Sequence, residues 1–224
     1  MINPALSLYD SATKIDKMLE NNIPGGMDHF DAFYEKLMGN ITQAYKHGDF
    51  LDLSHGFFYT AYDEIVPSQE EGKAVIGFSF RISATNILFV SDVLNNRGLV
   101  VPKNVVLSKT DSITDYGKVA ARQQGFKGYV DYLLLPALQE KEPGLTLQKL
   151  VDRSSLRSIE GYLKKQKKIG MVTNADDFIL APGDVDYFKN VFQSRAKIYP
   201  KGGHCGNMAY KDNVAYMIDY FKSE

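Results

Sequence analysis

Two short stretches of this sequence carry side chains suited to proton-transfer chemistry. Asp176 and Asp177 close the strand-like run KIGMVTN, and His204 lies among glycines just after the strand-like run RAKIYP. In open α/β sheets, functional side chains collect just past the carboxyl ends of the strands. A carboxylate that accepts a hydrogen bond from one imidazole nitrogen fixes the tautomer and stabilises the imidazolium formed when the other nitrogen takes a proton. The pattern therefore predicts an acid–histidine pair.

Each of these residues also has a purely structural interpretation. The two aspartates can cap a turn, and a single histidine in a glycine-rich loop often has no catalytic role. What favours chemistry is the combination, because the acid precedes the histidine and each follows a strand.

The elements that must position the pair come late in the chain. Residues 166–224 read as strand, acid loop, helix, strand, histidine loop and helix, which is an α/β pattern. Residues 12–165 are mostly helical by their apolar spacing, and residues 1–11 resemble a strand that enters this helical region. Within it, Ser68 and Glu71 form a capping box that predicts a long helix to about Asn95, apolar nearly all round.

Composition excludes several classes of protein. The net charge of −1 provides no field that would attract nucleic acid or an anionic membrane. Cys205 is the only cysteine, so no internal disulfide can form. The four histidines lack zinc-type spacing, no phosphate-loop pattern occurs, and no signal peptide is recognisable. We expect a cytoplasmic, soluble protein without metal or cofactor that binds neither nucleic acid nor membrane.

Three stretches resemble proteins of the α/β-hydrolase superfamily. The run TNADDFIL…GDVDYF…AKIYPKGGHCGN is similar to the C-terminal end of that fold, and INPALSLYDSATKID resembles the strand and helix after its nucleophile. GFSFRISATNILFVSDVL resembles bacterial hydrolase-like proteins with large helical caps. The resemblance implies an α/β protein: the C-terminal part of an α/β-hydrolase fold, with few parallel strands and a mostly helical lid. It implies Asp177 as the triad acid, Asp176 as its alternative, and His204 as the base.

The third member of such a triad is not evident. The fold places its nucleophile in a G-x-S-x-G elbow ahead of the acid and the histidine, and the sequence contains no such pentad. The nearest match, GFSFR, offers Ser79, but Arg81 replaces the second glycine and the predicted helix carries Ser79 in its interior. Cys205 follows the histidine, which is the wrong order. The alternative is that the nucleophile and most strands belong to a missing N-terminal half.

The sequence thus predicts the C-terminal portion of a serine hydrolase for a small ester, thioester or amide, silent by itself. Phe78, Phe80, Phe89 and Tyr132 are candidates to line an acyl pocket, although core packing explains them better. The open edge of a small sheet predicts self-association or pairing with the lost half. Two alternatives remain: a non-enzymatic helical interaction module, and a complete small hydrolase that uses Ser79.

Overall fold

The computed structural model describes residues 1–47 and 69–222. The chain forms two compact units: Met1–Lys14 together with Gly144–Glu224, called here the sheet unit, and Ile15–Pro143, called the helical unit. Helices dominate both, and one parallel two-stranded sheet lies in the sheet unit, which is compatible with a mixed α/β class. Residues 144–165, which the sequence assigns to the lid, belong to the sheet unit.

Ten α-helices and two strands follow one another along the described residues. The helices are α1 (Leu8–Asn22), α2 (Phe30–His47), α3 (Gln69–Asn95), α4 (Thr114–Gln123), α5 (Phe126–Tyr129), α6 (Leu135–Gln139), α7 (Leu147–Arg153), α8 (Glu160–Lys165), α9 (Asp184–Phe192) and α10 (Lys211–Lys222). The strands are β1 (Met171–Asn174) and β2 (Ala196–Tyr199). Short 3₁₀ turns lie at Met27–His29, Leu156–Ile159 and Gln193–Arg195, and a π-helical turn lies at Val130–Leu134.

The sheet is parallel and is extended by the first residues of the chain. β1 pairs with β2 so that Met171 faces Ala196. Ile2 forms a parallel bridge to Val172, and the Asn3 backbone N–H donates to the Val172 carbonyl at 2.8 Å. Three extended segments therefore lie side by side, and β1, the middle one, is buried along its whole length.

The helix between the strands begins later than its sequence suggests. Pro182 predicts a start at that residue, but α9 begins at Asp184 because Gly183 adopts a left-handed conformation with φ of 89°. The Asp184 carboxylate accepts from the Ala181 backbone N–H at 2.8 Å and closes the turn. The helix then buries Phe188 and Phe192, one turn apart, and packs against β2.

The helical unit has a core of aliphatic and aromatic side chains from α1, α2, α3 and α4. Its buried members are Leu19, Ile23, Phe30, Phe33, Leu37, Ala74, Phe78 and Ala121. α1 and α3 approach closely at Gly77, where an added Cβ would lie 2.2 Å from the Leu19 backbone nitrogen. The long helix predicted from the capping box is confirmed from Gln69 to Asn95, while Ser68 lies outside the described residues.

Helix α3 is the one described helix whose stretch Glu71–Asn95 is long and apolar enough to cross a membrane. That finding is weak, because core helices of soluble proteins pass the same test. Two charged side chains on it, Arg81 and Asp92, are buried and bonded inside the helical unit. These bonded charges lie on the buried side of the helix, and 33% of its most apolar window is buried.

Candidate active site

The predicted acid and histidine meet in the sheet unit. His204 Nδ1 lies 3.0 Å from Asp177 Oδ2. The Asp177 side chain is completely buried, whereas 35% of the His204 side chain is exposed. Within residues 1–47 and 69–222, no hydrogen bond engages Nε2. One ring nitrogen is therefore held by a buried carboxylate, while the other has no partner among the described residues.

The Asp177 carboxylate is fixed on both oxygens. Oδ1 accepts from the Ile179 backbone N–H at 3.1 Å, and Oδ2 accepts from the Asn3 side-chain amide at 3.0 Å. A buried carboxylate needs such donors, because taking an unpaired charge out of water is costly. The turn that follows β1 positions Asp177 beside the histidine loop. In this turn the Asp177 N–H donates to the Asn174 carbonyl at 3.2 Å.

Asp176, the alternative acid, has a different role. Its carboxylate accepts from the backbone N–H groups of Gly202 and Gly203, at 3.3 and 2.8 Å, and so anchors the loop that carries His204. A side chain at Gly202 would collide with Asn207, since an added Cβ would lie 2.4 Å from its Oδ1, and the φ of 145° there also favours glycine. The acid after β1 that contacts the imidazole is Asp177.

Asparagines that sequence reasoning did not single out complete the support of the histidine loop. Asn174 donates to the Gly203 carbonyl at 2.7 Å and accepts from Asn207 at 2.6 Å. Asn213 in turn donates to the Asn207 carbonyl at 2.9 Å. The signal in the sequence for such support was an asparagine at the end of a strand or in a turn, because its amide readily bonds to nearby backbone.

Two neighbours of the imidazole shape its surroundings. The Phe178 ring lies edge-on to it, with centroids 5.7 Å apart, and restricts one side. Burial, and then the charge of Asp177, raise the pKa of the Cys205 thiol. A raised pKa keeps the thiol protonated, so Cys205 is a poor nucleophile despite its position beside His204.

Ser79 does not have the geometry of a nucleophile elbow. Ser79 is an exposed residue midway along α3, and its carbonyl accepts a hydrogen bond from the Ser83 hydroxyl at 2.9 Å. An elbow serine occupies a strained turn between a strand and a helix. The stretch GFSFR is therefore helical throughout and does not form a nucleophile elbow.

The four aromatic candidates for an acyl pocket lie in the helical unit. Phe78 belongs to its core, 3% exposed and in edge contact with Phe33 at 5.9 Å. The other three pack with neighbouring rings or lie at the surface: Phe80 against Phe126, Phe89 against Tyr116, and Tyr132 with 57% of its surface exposed. Core packing, the favoured alternative, describes Phe78.

No group of three or more possible metal ligands occurs among the described residues. Comparison with protein-family models, curated proteins and solved structures found no match. What this site can do is therefore argued from its geometry.

Proposed function

We propose that this chain supplies the acid and the general base of a serine-hydrolase relay, as the C-terminal part of an α/β-hydrolase fold. The observation that carries the proposal is the contact between the buried Asp177 carboxylate and His204 Nδ1, while Nε2 has no hydrogen bond to any described residue. The order of elements supports it, because the acid follows the middle extended segment and the histidine follows the next one.

In the proposed reaction, His204 Nε2 takes the proton of an attacking hydroxyl while the hydroxyl oxygen bonds to the substrate carbonyl carbon. The imidazolium formed is stabilised by Asp177, whose charge is fixed by Asn3 and Ile179. His204 then gives that proton to the departing alcohol, thiol or amine as the tetrahedral intermediate collapses to an acyl-enzyme. A water then gives its proton to Nε2 as the water oxygen bonds to the acyl carbon, and the imidazolium passes that proton to the departing serine oxygen, which releases the carboxylic acid and restores the hydroxyl and the neutral ring.

The attacking hydroxyl, in this proposal, comes from a polypeptide segment outside the described residues, either of the same protein or of a partner. The open edge of the sheet supplies a place for it. Because Met1 and Asn3 make the backbone bonds to Val172, the N–H and C=O of Ile2 face the open side. An apolar cavity of about 290 Å³ lies beside this edge and includes Met1, Ile2, Tyr216 and Phe221 in its lining.

Active-site labelling tests the proposal. The protein is produced from its native gene with a C-terminal affinity tag, treated with a fluorophosphonate probe in its own cells, and purified with whatever remains bound. We expect a labelled serine outside residues 1–47 and 69–222, and we expect His204→Ala to abolish the label. Ser79→Ala is the matched control and should leave labelling unchanged. Purified material that carries no label, label on Ser79, or label that survives His204→Ala would overturn the proposal.

One observation favours a second function, a helical interaction module. Ile87, Val90 and Leu94 lie on one side of α3 and are 57%, 52% and 78% exposed. An exposed apolar stripe of this kind is typical of protein-binding surfaces. The module requires no chemistry from His204, so binding of a partner that is lost with Val90→Glu but retained with His204→Ala would favour it over the hydrolase.

A further inference from the structure

Asn3 stands at the meeting point of the acid and the histidine loop. It is 7% exposed, and its side-chain amide donates to Asp177 Oδ2 at 3.0 Å and approaches the Gly203 carbonyl at 3.5 Å. Oδ2 is the same oxygen that contacts His204 Nδ1. The amide of Asn3 and the imidazole of His204 therefore share one acceptor atom.

The backbone of Asn3 is held in an unusual conformation. Its φ is 42°, in the left-handed region that only glycine and, among other residues, asparagine or aspartate adopt readily. The next residue is Pro4, which further restricts the residue that precedes it. Strain of this kind persists where the surrounding contacts require one direction of a side chain. Here the required direction is toward Asp177.

A carboxylate that is bonded at only one oxygen can turn about its Cβ–Cγ bond. The Ile179 N–H holds Oδ1, and the Asn3 amide is the second fixed donor, which leaves one lone-pair direction of Oδ2 for Nδ1–H. The nitrogen of an amide can only donate, so Oδ2 is held as an acceptor.

We infer that Asn3 is a positioning residue of the relay: by holding Asp177 Oδ2 it selects the His204 tautomer that carries its proton on Nδ1. The inference rests on the proposed function and adds a member to the site, on the first extended segment of the sheet. Asn3 acts through Asp177.

Two substitutions at Asn3 distinguish the effect of its side-chain amide from the effect of its backbone conformation. Asn3→Gly removes the amide but keeps the left-handed conformation without strain. Asn3→Asp preserves shape and conformation but presents a carboxylate to Asp177 in place of a donor. Asn174→Ala is the matched control, because Asn174 also donates to the Gly203 carbonyl, at 2.7 Å, with no bond to the Asp177 carboxylate.

The readout is the ring of His204 in the purified full chain, followed by ¹⁵N NMR under alkaline conditions, with hydrogen exchange of the Nδ1 proton as a second measure. We expect Asn3→Gly to lower the Nδ1–H fraction and to speed exchange about tenfold or more, the factor for losing one hydrogen bond to a charged group. Asn3→Asp should have a larger effect, and Asn174→Ala should leave the tautomer unchanged.

The outcomes distinguish the inference from the proposed function. If the unsubstituted protein carries the proton on Nε2, both the relay and the role of Asn3 are wrong. If it carries the proton on Nδ1 and Asn3→Gly leaves tautomer and exchange unchanged, only the inference is wrong. The inference is also overturned if Asn174→Ala reproduces the effect, because loop anchoring then explains it. Circular dichroism of each variant establishes that it is folded, and Asn3→Gly decides the question if Asn3→Asp does not fold.

Discussion

Two buried aspartates, one in each unit, show how the partner decides what a buried acid does. Asp16 in the helical unit forms an ion pair with Arg81, and their side chains are only 6% and 2% exposed. Asp177 in the sheet unit is equally enclosed, but its partner His204 is 35% exposed. Arginine keeps its charge at any physiological pH, whereas histidine gains and loses a proton near neutrality. The first pair ties helices together, and the second is suited to proton transfer.

The hydrogen bonds around the two acids differ in the same way as their partners do. Asp16 also accepts from the Phe126 backbone N–H at 3.0 Å, and Arg81 donates to the Ala121 carbonyl at 3.0 Å, so both partners of the ion pair are bonded into the core. Around Asp177, the Ile179 N–H and the Asn3 amide donate to the carboxylate. Nε2 of the histidine has no hydrogen bond within the described residues. The network around Asp16 and Arg81 therefore stabilises the core of the helical unit. The pair of Asp177 and His204 keeps a ring nitrogen that is suited to accept a proton.

The largest expected effect is on chemistry, from Asp177→Asn. By the proposal, the amide would favour the wrong tautomer of His204 and lower the rate of fluorophosphonate labelling by about 10⁴-fold, the loss seen for such a change in a known triad. Asp16→Asn is the matched change in the helical unit and should leave labelling of the folded protein intact. Equal losses of labelling in both variants would erase the contrast between the two acids.

The next effect is on stability, from Arg81→Met. Removing the guanidinium leaves the Asp16 charge buried without its partner, so we expect the free energy of unfolding to fall by about 3–5 kcal/mol. Arg122→Met removes an exposed ion pair to Asp31, with side chains 53% and 50% exposed, and should cost less than about 1 kcal/mol. Urea denaturation followed by circular dichroism measures both, and similar losses would show that the Asp16–Arg81 pair is not the tie that we describe.

A smaller effect tests how closely the helices around Asp16 pack. Gly77→Ala places a Cβ 2.2 Å from the Leu19 backbone nitrogen, so α1 and α3 must separate. We expect a loss of about 1–3 kcal/mol in the free energy of unfolding, as for other overpacked cores. Gly39→Ala, in α2, meets nothing within 4 Å and should instead add about 0.5–1 kcal/mol. A gain from both substitutions would contradict the close contact of α1 with α3.

The smallest effect concerns Cys205, the residue after His204. Burial and the charge of Asp177 raise the pKa of its thiol, so at a given pH the folded protein contains less thiolate than the unfolded chain. Iodoacetamide should therefore react more slowly with the folded protein than with the protein in urea, and somewhat faster with Asp177→Asn. The same shift makes folding less favourable as pH rises through the thiol pKa, because the unfolded chain loses this proton first. A faster reaction in the folded state would contradict it.

The acid and the histidine could be predicted from sequence because each follows a short apolar run, and the ends of neighbouring parallel strands meet at one edge. The interior position of Ser79 was also predictable, from the signals of a long helix. Asn3 and Asn174 were not, because their roles depend on the register of the first segment against Val172 and on the path of a distant loop. An asparagine at a strand end indicates a bond to nearby backbone, but no local pattern shows which group it contacts.

The boundary between the two compact units differs from the lid boundary that the sequence predicts, for a related reason. Residues 144–165 are helical like the residues before them, so composition gives no break. They belong to the sheet unit through contacts made across the chain: Leu163 is buried there, and Tyr187 donates to the Leu156 carbonyl at 3.1 Å. Helical periodicity reveals which side of a helix is buried, but the surface that covers it is set by tertiary packing.

The central claim, that Asp177 and His204 form a proton-transfer pair, is tested most directly by the tautomer of one ring. ¹⁵N NMR of the His204 imidazole in the neutral state shows which nitrogen carries the proton. We predict Nδ1 in the unsubstituted protein and in Asp16→Asn, and a change to Nε2 in Asp177→Asn. A ring protonated on Nε2 in the unsubstituted protein, or one indifferent to Asp177→Asn, would contradict the account.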